Sequence, residues 1–390
     1  MGRTPGRVDR TSRGGAEQTS SPWAAHGPAA LLGAGGFGLR HLLWISLLLV
    51  PADALAALLG GGASLLFLLS VVALVPLAYV IGEATEQAGE HTGSVIAGLL
   101  NASFGNAPEL IIALFAVDRG LPDVVFGSLT GSVVSNLLLV LGVSTLAAHR
   151  GVVNRRSSGV SLVMTTLAVV LFSLTTTLHL TGAVSGTRLP VAVPVCAALL
   201  AAYVLVTAVS VVRARRQHAD RRIELAPPAA EENEQGDGGW SLATALTVLA
   251  LATAATALVS EILTGSIEQF AHSAGLPDFF VAAVIVAIVG NAAEHGGAVV
   301  IARGGNLGLA AEIAFSSSAQ VATLVLPLVV LLSVAIAPLS VVFRPVELVT
   351  IGVAVLVPAL LISARVMTRL SGVVLCLTYG GVAAAFYFFA

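Results

Sequence analysis

Apolar residues fill this chain in blocks as long as a helix needs to cross a bilayer, roughly twenty residues, parted by short polar breaks. A window of that length predicts eleven helices: 41–58, 63–87, 94–117, 123–148, 158–180, 189–212, 241–270, 278–302, 307–333, 343–364 and 370–389. Residues 1–38 are rich in Gly, Ser, Pro and Arg and lack a sustained apolar stretch. They cannot bury a core and read as a disordered tail. The run at 41–58 has the length of a signal-peptide core, but it stands behind a long polar tail, so it reads as the first membrane helix, within 39–60.

Composition agrees with the pattern. Of 390 residues, 56% are hydrophobic and only 10% charged, against about 25% charged in soluble domains. The chain is therefore expected to be an all-α polytopic membrane protein with no soluble domain beyond its loops. The net charge of −2 says nothing about partners, because the charges cluster in loops. Cys196 and Cys376 both lie in apolar runs and read as packed thiols rather than a disulfide.

The arginines orient the helices. With Arg3, Arg7, Arg10 and Arg13 of the tail in the cytoplasm, strict alternation puts three later groups on the same side: Arg150/Arg155/Arg156, Arg213/Arg215/Arg216/Arg221/Arg222 and Arg365/Arg369. Arg303 joins them, and only Arg119, Arg188 and Arg344 fall outside, each alone. This is the positive-inside rule, and removing one helix from the middle would reverse the later groups. The C-terminus then lies outside. The long loop, 213–240, begins basic and turns acidic (Glu224, Glu231, Glu232, Glu234, Asp237), as a solvated linker between halves would.

Two apolar helices carry the same polar insertion, Gly105-Asn106-Ala107-Pro108-Glu109 and Gly290-Asn291-Ala292-Ala293-Glu294. A carboxylate at the bilayer centre costs on the order of 2.5–3.5 kcal/mol, so such a residue usually faces a cavity, a partner or an ion. A shift of 185 positions superposes the two motifs, and also Ser132 on Ser317 and Ser135 on Gln320 in the helix that follows each. Each copy holds five helices, 61–212 and 241–390 around the linker 213–240, and an odd number means that the second enters from the opposite face. The expected architecture is one leading helix plus two inverted five-helix repeats, which puts substrate near the midplane, at the repeat interface, and favours a transporter.

The chemistry on offer is all oxygen. Gly105, Asn106 and Pro108 weaken the third helix and free carbonyls toward a cavity, and Gly290 with Asn291 would do likewise in the eighth. Two carboxylates, two amides and the hydroxyls of Ser132, Ser135, Ser317 and Ser318 suit a hard divalent cation such as Ca²⁺. No Cys or His cluster offers a softer site. Empty, two acids close together in low dielectric hold protons, and a bound divalent cation displaces them. Ca²⁺ and H⁺ then exclude one another from one site, the minimum requirement for antiport. His295 beside Glu294 reads either as a proton-handling residue or as a packed or gating one. Glu83, Glu86 and Glu90 share a helix face, and Glu86 and Glu261, in Ala84-Thr85-Glu86 and Val259-Ser260-Glu261, are expected on the proton or cation path; Glu268, Glu312 and Glu347 read as loop or interface charges.

These motifs resemble the calcium/proton antiporter family of the calcium/cation exchanger superfamily over about 63–389. The resemblance rests on Ala84-Thr85-Glu86, on residues 98–109, on Gly131 to Asn136, on residues 288–295 and on Ser317-Ser318-Ala319-Gln320. It implies eleven helices, with Glu109 and Glu294 as central cation ligands and Asn106, Asn291, Ser132, Ser135, Asn136, Ser317, Ser318 and Gln320 lining the site. It implies Glu86 and Glu261 on the ion path, with Ca²⁺ and H⁺ as transported ions. Ser316 departs from the pattern, standing where the family usually has glycine. Two rivals were weighed. A sodium/calcium exchanger shares the fold but resembles this chain only at Pro108-Glu109, and Asn106, Asn291 and Glu294 favour H⁺. An intramembrane hydrolase would need His-Glu-x-x-His or Gly-x-Ser-x-Gly, and neither occurs. No enzyme chemistry, cofactor or nucleic-acid partner is expected; the short linker and the lack of organellar targeting point to a prokaryotic plasma membrane.

Overall fold

The computed structural model describes residues 37–181, 189–224, 239–364 and 366–389, which are helical apart from one pair of short strands. Nearly all of the expected tail 1–38, residues 225–238 of the expected linker, and Arg188 and Arg365 lie outside the described residues. In chain order the helices are α1 (Phe37–Ser46), α2 (Leu49–Leu58), α3 (Ala63–Phe104), α4 (Ala107–Asp118), α5 (Pro122–Ala148), α6 (Arg155–Leu180), α7 (Leu189–Glu224), α8 (Leu242–Ala274), α9 (Asp278–Gly290), α10 (Ala292–Arg303), α11 (Leu307–Ile336), α12 (Pro345–Ser363) and α13 (Arg369–Phe389). Among the described residues, eight helices are long and apolar enough to cross a membrane, or nine if α9 and α10, bent by 61°, form one broken span.

Three elements differ from the sequence expectation. The leading segment is two helices with a turn at Leu47–Leu48. Pro51 explains the turn: it has no N–H to give the Leu47 carbonyl four positions back, and its ring clashes there. Next, α3 keeps helical bonding through the break expected after residue 87. It is nonetheless folded back, because a Cβ at Gly89 would lie 3.0 Å from that of Ala97, whereas eight residues of straight helix advance about 12 Å. Phe104 accordingly packs beside Tyr79, Val80, Ile81 and Ala84 of the same element. Finally, α7 continues to Glu224, so the first part of the linker is helix.

The centre of the molecule is α5, buried along almost its whole length. Gly127 and Gly131, four apart on one face, let α5 seat directly on α9. A Cβ at Gly127 would come 2.9 Å from Ala282 Cβ, and one at Gly131 would land on the Ala283 carbonyl. At one end of α5, β1 (Arg150–Val152) pairs antiparallel with β2 (Val366–Thr368), Gly151 opposite Met367. At the other end Asp123 takes both oxygens to Arg344, at 2.8 and 2.7 Å, at the start of α12. Alongside, α3 and α8 run side by side and share in the same core, with Phe67 stacked on Phe270 at 4.0 Å.

Beside that pair lies an acid with no counterpart in the sequence expectation. Asp53 of α2 is fully buried; the Ser70 hydroxyl of α3 donates to its Oδ2 at 2.8 Å, and its Oδ1 has no partner among the described residues. Ser70→Ala leaves the whole carboxyl unsatisfied, which costs about 1–3 kcal/mol. The thermal midpoint in detergent should fall accordingly, and a Ser70→Ala protein as stable as its parent would show that the link carries no weight.

Candidate cation site

The two polar motifs fold into the same local shape. Asn106 ends the helical path of α3 at φ −104°, ψ 16°, and Asn291 ends α9 at φ −96°, ψ 12°. Both fall in the sparsely populated bridge region, which interrupts a helix without reversing it. A new helix begins at the next residue, with its bonding restored from Leu110 N–H to the Asn106 carbonyl and from His295 N–H to the Asn291 carbonyl, at 3.1 and 2.9 Å. Pro108 is tolerated because the first turn asks for no N–H there. Glu109 and Glu294 therefore occupy the third position of α4 and α10, beside the unpaired N–H groups of a helix start, where the backbone dipole favours negative charge.

The carboxylates cross over. Glu294 Oε1 lies 3.4 Å from where a Cβ of Gly105 would be, and Glu109 Oε1 lies 3.6 Å from that of Gly290. Each acid thus covers the glycine at which the other broken helix stops, which brings the two carboxyls close enough to repel one another. Glu109 is buried, yet neither of its oxygens has a hydrogen-bond partner among the described residues; nor has Glu294 Oε2 or Asn291 Oδ1. Buried acceptors of this kind are rare in folded proteins and mark a strained, catalytic or ion-occupied place.

Around them the helices supply donors that orient the remaining oxygens. Asn106 donates from Nδ2 to Gln320 Oε1 at 2.8 Å. Asn291 donates to Ser132 Oγ at 2.9 Å and to the Ala287 carbonyl at 3.0 Å. His295 Nε2 meets Asn136 Oδ1 at 3.1 Å, Asn136 donates to Ser317 Oγ at 3.0 Å, and Ser317 is in turn a partner of the Glu294 carboxyl. Ser135 and Ser318 are buried and donate to backbone carbonyls, Ser135 to Ser132 and Ser318 to Ala314 and Val133. Of the ten residues expected at the site, these bonds link Asn106 to Gln320, Asn291 to Ser132, and Asn136 through Ser317 to Glu294, whereas those of Ser135 and Ser318 run to backbone carbonyls. Asn136 Oδ1 and Gln320 Oε1 already accept hydrogen bonds, whereas the Glu109 oxygens and Asn291 Oδ1 do not.

The residues expected on the ion path divide. Glu83 is buried on α3 and Glu86 half-buried beside it, while Glu261 stands exposed on α8. Glu347, expected as an interface charge, is instead buried in the first turn of α12. Ser316 faces outward, so its hydroxyl does not crowd the packing of α11. Among the described residues no group of three or more His, Cys, Asp and Glu side chains is arranged around a metal position. A cation here would depend on amide, hydroxyl and carbonyl oxygens as well as the two acids.

The model of one known family, described as sodium/calcium exchanger protein, matches residues 62–212 and 244–388. The chain belongs to that family. The exchanger-family match covers both polar motifs and leaves out the stretch between them that carries the linker. Within the family, the chain is 34% identical over 361 residues to a Ca²⁺/H⁺ antiporter of Synechocystis sp., covering 88% of this chain and 96% of that protein. It is 36% identical over 339 residues to vacuolar cation/proton exchanger 1a of Oryza sativa subsp. japonica, covering 82% and 74%. The solved structure of native YfkE superposes with a TM-score of 0.75 at 30% identity, over 88% of this chain and 99% of that one. Apolar helices of spanning length in an exchanger-family fold make this an integral membrane protein.

Proposed function

We propose that this protein is a secondary transporter that exchanges Ca²⁺ for H⁺ by alternating access, with Glu109 and Glu294 as the shared binding groups. The observation that carries the reading is the crossed pair of glutamates: Glu109 is buried with neither oxygen partnered among the described residues, and Glu294 is half-buried with its Oε2 unpartnered among them. Occupied by a divalent cation, the two carboxylates balance its charge, and Asn291 Oδ1, the serine hydroxyls and the carbonyls freed at the two breaks add hard oxygen donors. Asn106, Asn136 and Gln320 hold neighbouring groups in place through their hydrogen bonds, and His295 orients Asn136. When the cation leaves, protons neutralise the two acids, because like charges this close in low dielectric are costly. One site therefore alternates between the two ions, and each pH unit supplies about 1.4 kcal/mol per proton.

The same reading includes an architecture of eleven spans. Beyond the helices already counted, α1 together with α2, covering the expected span 41–58, and the folded-back stretch of α3 that leads into α4 supply the others. The chain divides into 61–212, a linker 213–240 and 241–390, and the two larger parts are inverted repeats. Supporting this, α4 and α10 have the same bounds under the 185-residue shift, α5 and α11 start at equivalent positions, and each carries a π-helical turn, Ser135–Val140 and Val321–Val325, at the matching place. Ser318 hydrogen-bonds the carbonyl of Val133, its own equivalent, as residues on a twofold axis do. The N-terminus is cytoplasmic and the C-terminus outside. Glu83, Glu86 and Glu261 serve the path to the site.

The test is Ca²⁺ flux into proteoliposomes across an imposed pH gradient, with and without a sodium gradient. Uptake driven by the pH gradient alone is expected. Uptake that requires sodium would overturn proton coupling while leaving the site in place.

A further inference from the structure

Arg119, the last residue of the turn that closes α4, lies flat against α8. Its Nη2 donates to the Glu261 carbonyl at 3.3 Å. A Cβ at Gly265 would stand 3.1 to 3.3 Å from Nη2, Cζ and Nη1 of the same guanidinium. Three atoms at nearly one distance mean that the planar group is stacked on the backbone, so close that a Cβ at Gly265 would push it off by a few tenths of an ångström. Glu261 and Glu268 flank this seat at four residues before and three after, on one face of α8. Among the described residues Arg119 closes no ion pair; the bidentate pair of the structure is Asp123 with Arg344. The guanidinium is thus held at a set place between two exposed acids without being neutralised by a contact with either. It also joins α4, whose first turn carries Glu109, to α8, which packs against both α4 and α3.

We propose that Arg119 is a tethered cation guarding the path along the Glu261–Gly265–Glu268 face, where it lowers the local concentration of divalent cation and sets the apparent affinity from that end. Gly265 is its seat and acts only by positioning it. The proposal rests on Glu261 lying on the ion path. At separations of several ångströms in water-like surroundings, a unit charge changes the local density of a divalent cation about fivefold. It discriminates against Ca²⁺ more strongly than against protons, since the repulsion scales with the charge of the ion.

The test uses the full chain in proteoliposomes, with Cys196 and Cys376 replaced by serine and a thiol introduced by Glu268→Cys. The readout is the ratio of its reaction rates with a cationic and an anionic methanethiosulfonate reagent, which reports local potential without any transport. Arg119→Ala should raise the cation-to-anion ratio about fivefold, and Arg119→Lys should restore most of the parent ratio. Gly265→Ala, which keeps the charge and displaces the guanidinium only slightly, should change it far less than Arg119→Ala. In the chain with Glu268 intact, Arg119→Ala should lower the KM for Ca²⁺ from that end by a similar factor, with the KM for protons changed less. An unchanged reagent ratio in Arg119→Ala would overturn the proposal even if transport fell, since that loss would then be structural. A raised ratio with no flux in the parent protein would sink the antiport reading and leave the guarding charge standing.

Discussion

Glu109→Gln and Glu294→Gln are each expected to abolish Ca²⁺ uptake driven by a pH gradient in a protein that still folds. The amide keeps the shape and one carbonyl oxygen but removes a full charge from a dication that has only two carboxylates to balance it. At ligand distance that loss, even in an effective dielectric of 20, lowers affinity by at least about a hundredfold. Stability should move the other way or not at all. Neither oxygen of Glu109 has a hydrogen-bond partner among the described residues, so Glu109→Gln relieves the burden of an unpaired buried acid, whereas in Glu294→Gln the amide oxygen can keep the Ser317 partner. Thermal melts in detergent alongside the flux assay separate the two effects. A single variant that transports normally would dislodge that glutamate from the site; loss of flux together with loss of folded protein would make it structural instead.

Gly131→Ala is expected to be among the most damaging substitutions in the chain, although it adds one methyl group and lies on no functional atom. The added Cβ would fall on the Ala283 carbonyl, with the Ala283 carbonyl carbon and Cα at 2.6 Å. All three are backbone, so no side chain can rotate away, and α5 must withdraw from α9. Those helices position Ser132 and Asn291, whose hydrogen bond at 2.9 Å ties them together. Overpacking a close helix contact costs about 1–3 kcal/mol, sometimes more, and here backbone must shift, which places the effect at the upper end. The yield of monodisperse protein and its thermal midpoint should fall sharply. Gly98→Ala, where an added Cβ meets nothing within 4 Å, is the control that should leave both near the parent values.

Much of the site was legible in the chain because intramembrane polarity is costly. Glu109 and Glu294 stand out in apolar runs, and so do the serines of the following helices, once a single shift aligns them. Helix breaks at Gly105-Asn106 and Gly290-Asn291 could be read from residues that weaken a helix, and the structure places Asn106 and Asn291 there with nearly equal dihedrals. Other features were not legible in the same way. Asp53 sits in an equally apolar stretch, but it lacks an echo elsewhere in the chain and was passed over. The reversal inside α3 follows no proline, and its helical bonding persists through the bend. Glu347 reads in the sequence as a loop or interface charge, whereas the fold buries it. Arg119 reads in the sequence as a lone arginine in a loop, and only the fold sets it against Gly265.

The division has a physical basis. Sequence by itself determined the class of the molecule, the apolar runs, the two acids and the oxygen-only chemistry, because each follows from the transfer cost of a side chain and needs no knowledge of its neighbours. Only the tertiary structure decided partnership: that each glutamate covers the other motif's glycine, that Asn106 reaches Gln320 at a separation of 214 positions and Asn291 reaches Ser132 at 159, and which oxygens remain without a donor. Such pairings depend on how closely broken helices cross, which is set by shape complementarity between backbones, and no local pattern of hydrophobic and polar residues carries that information.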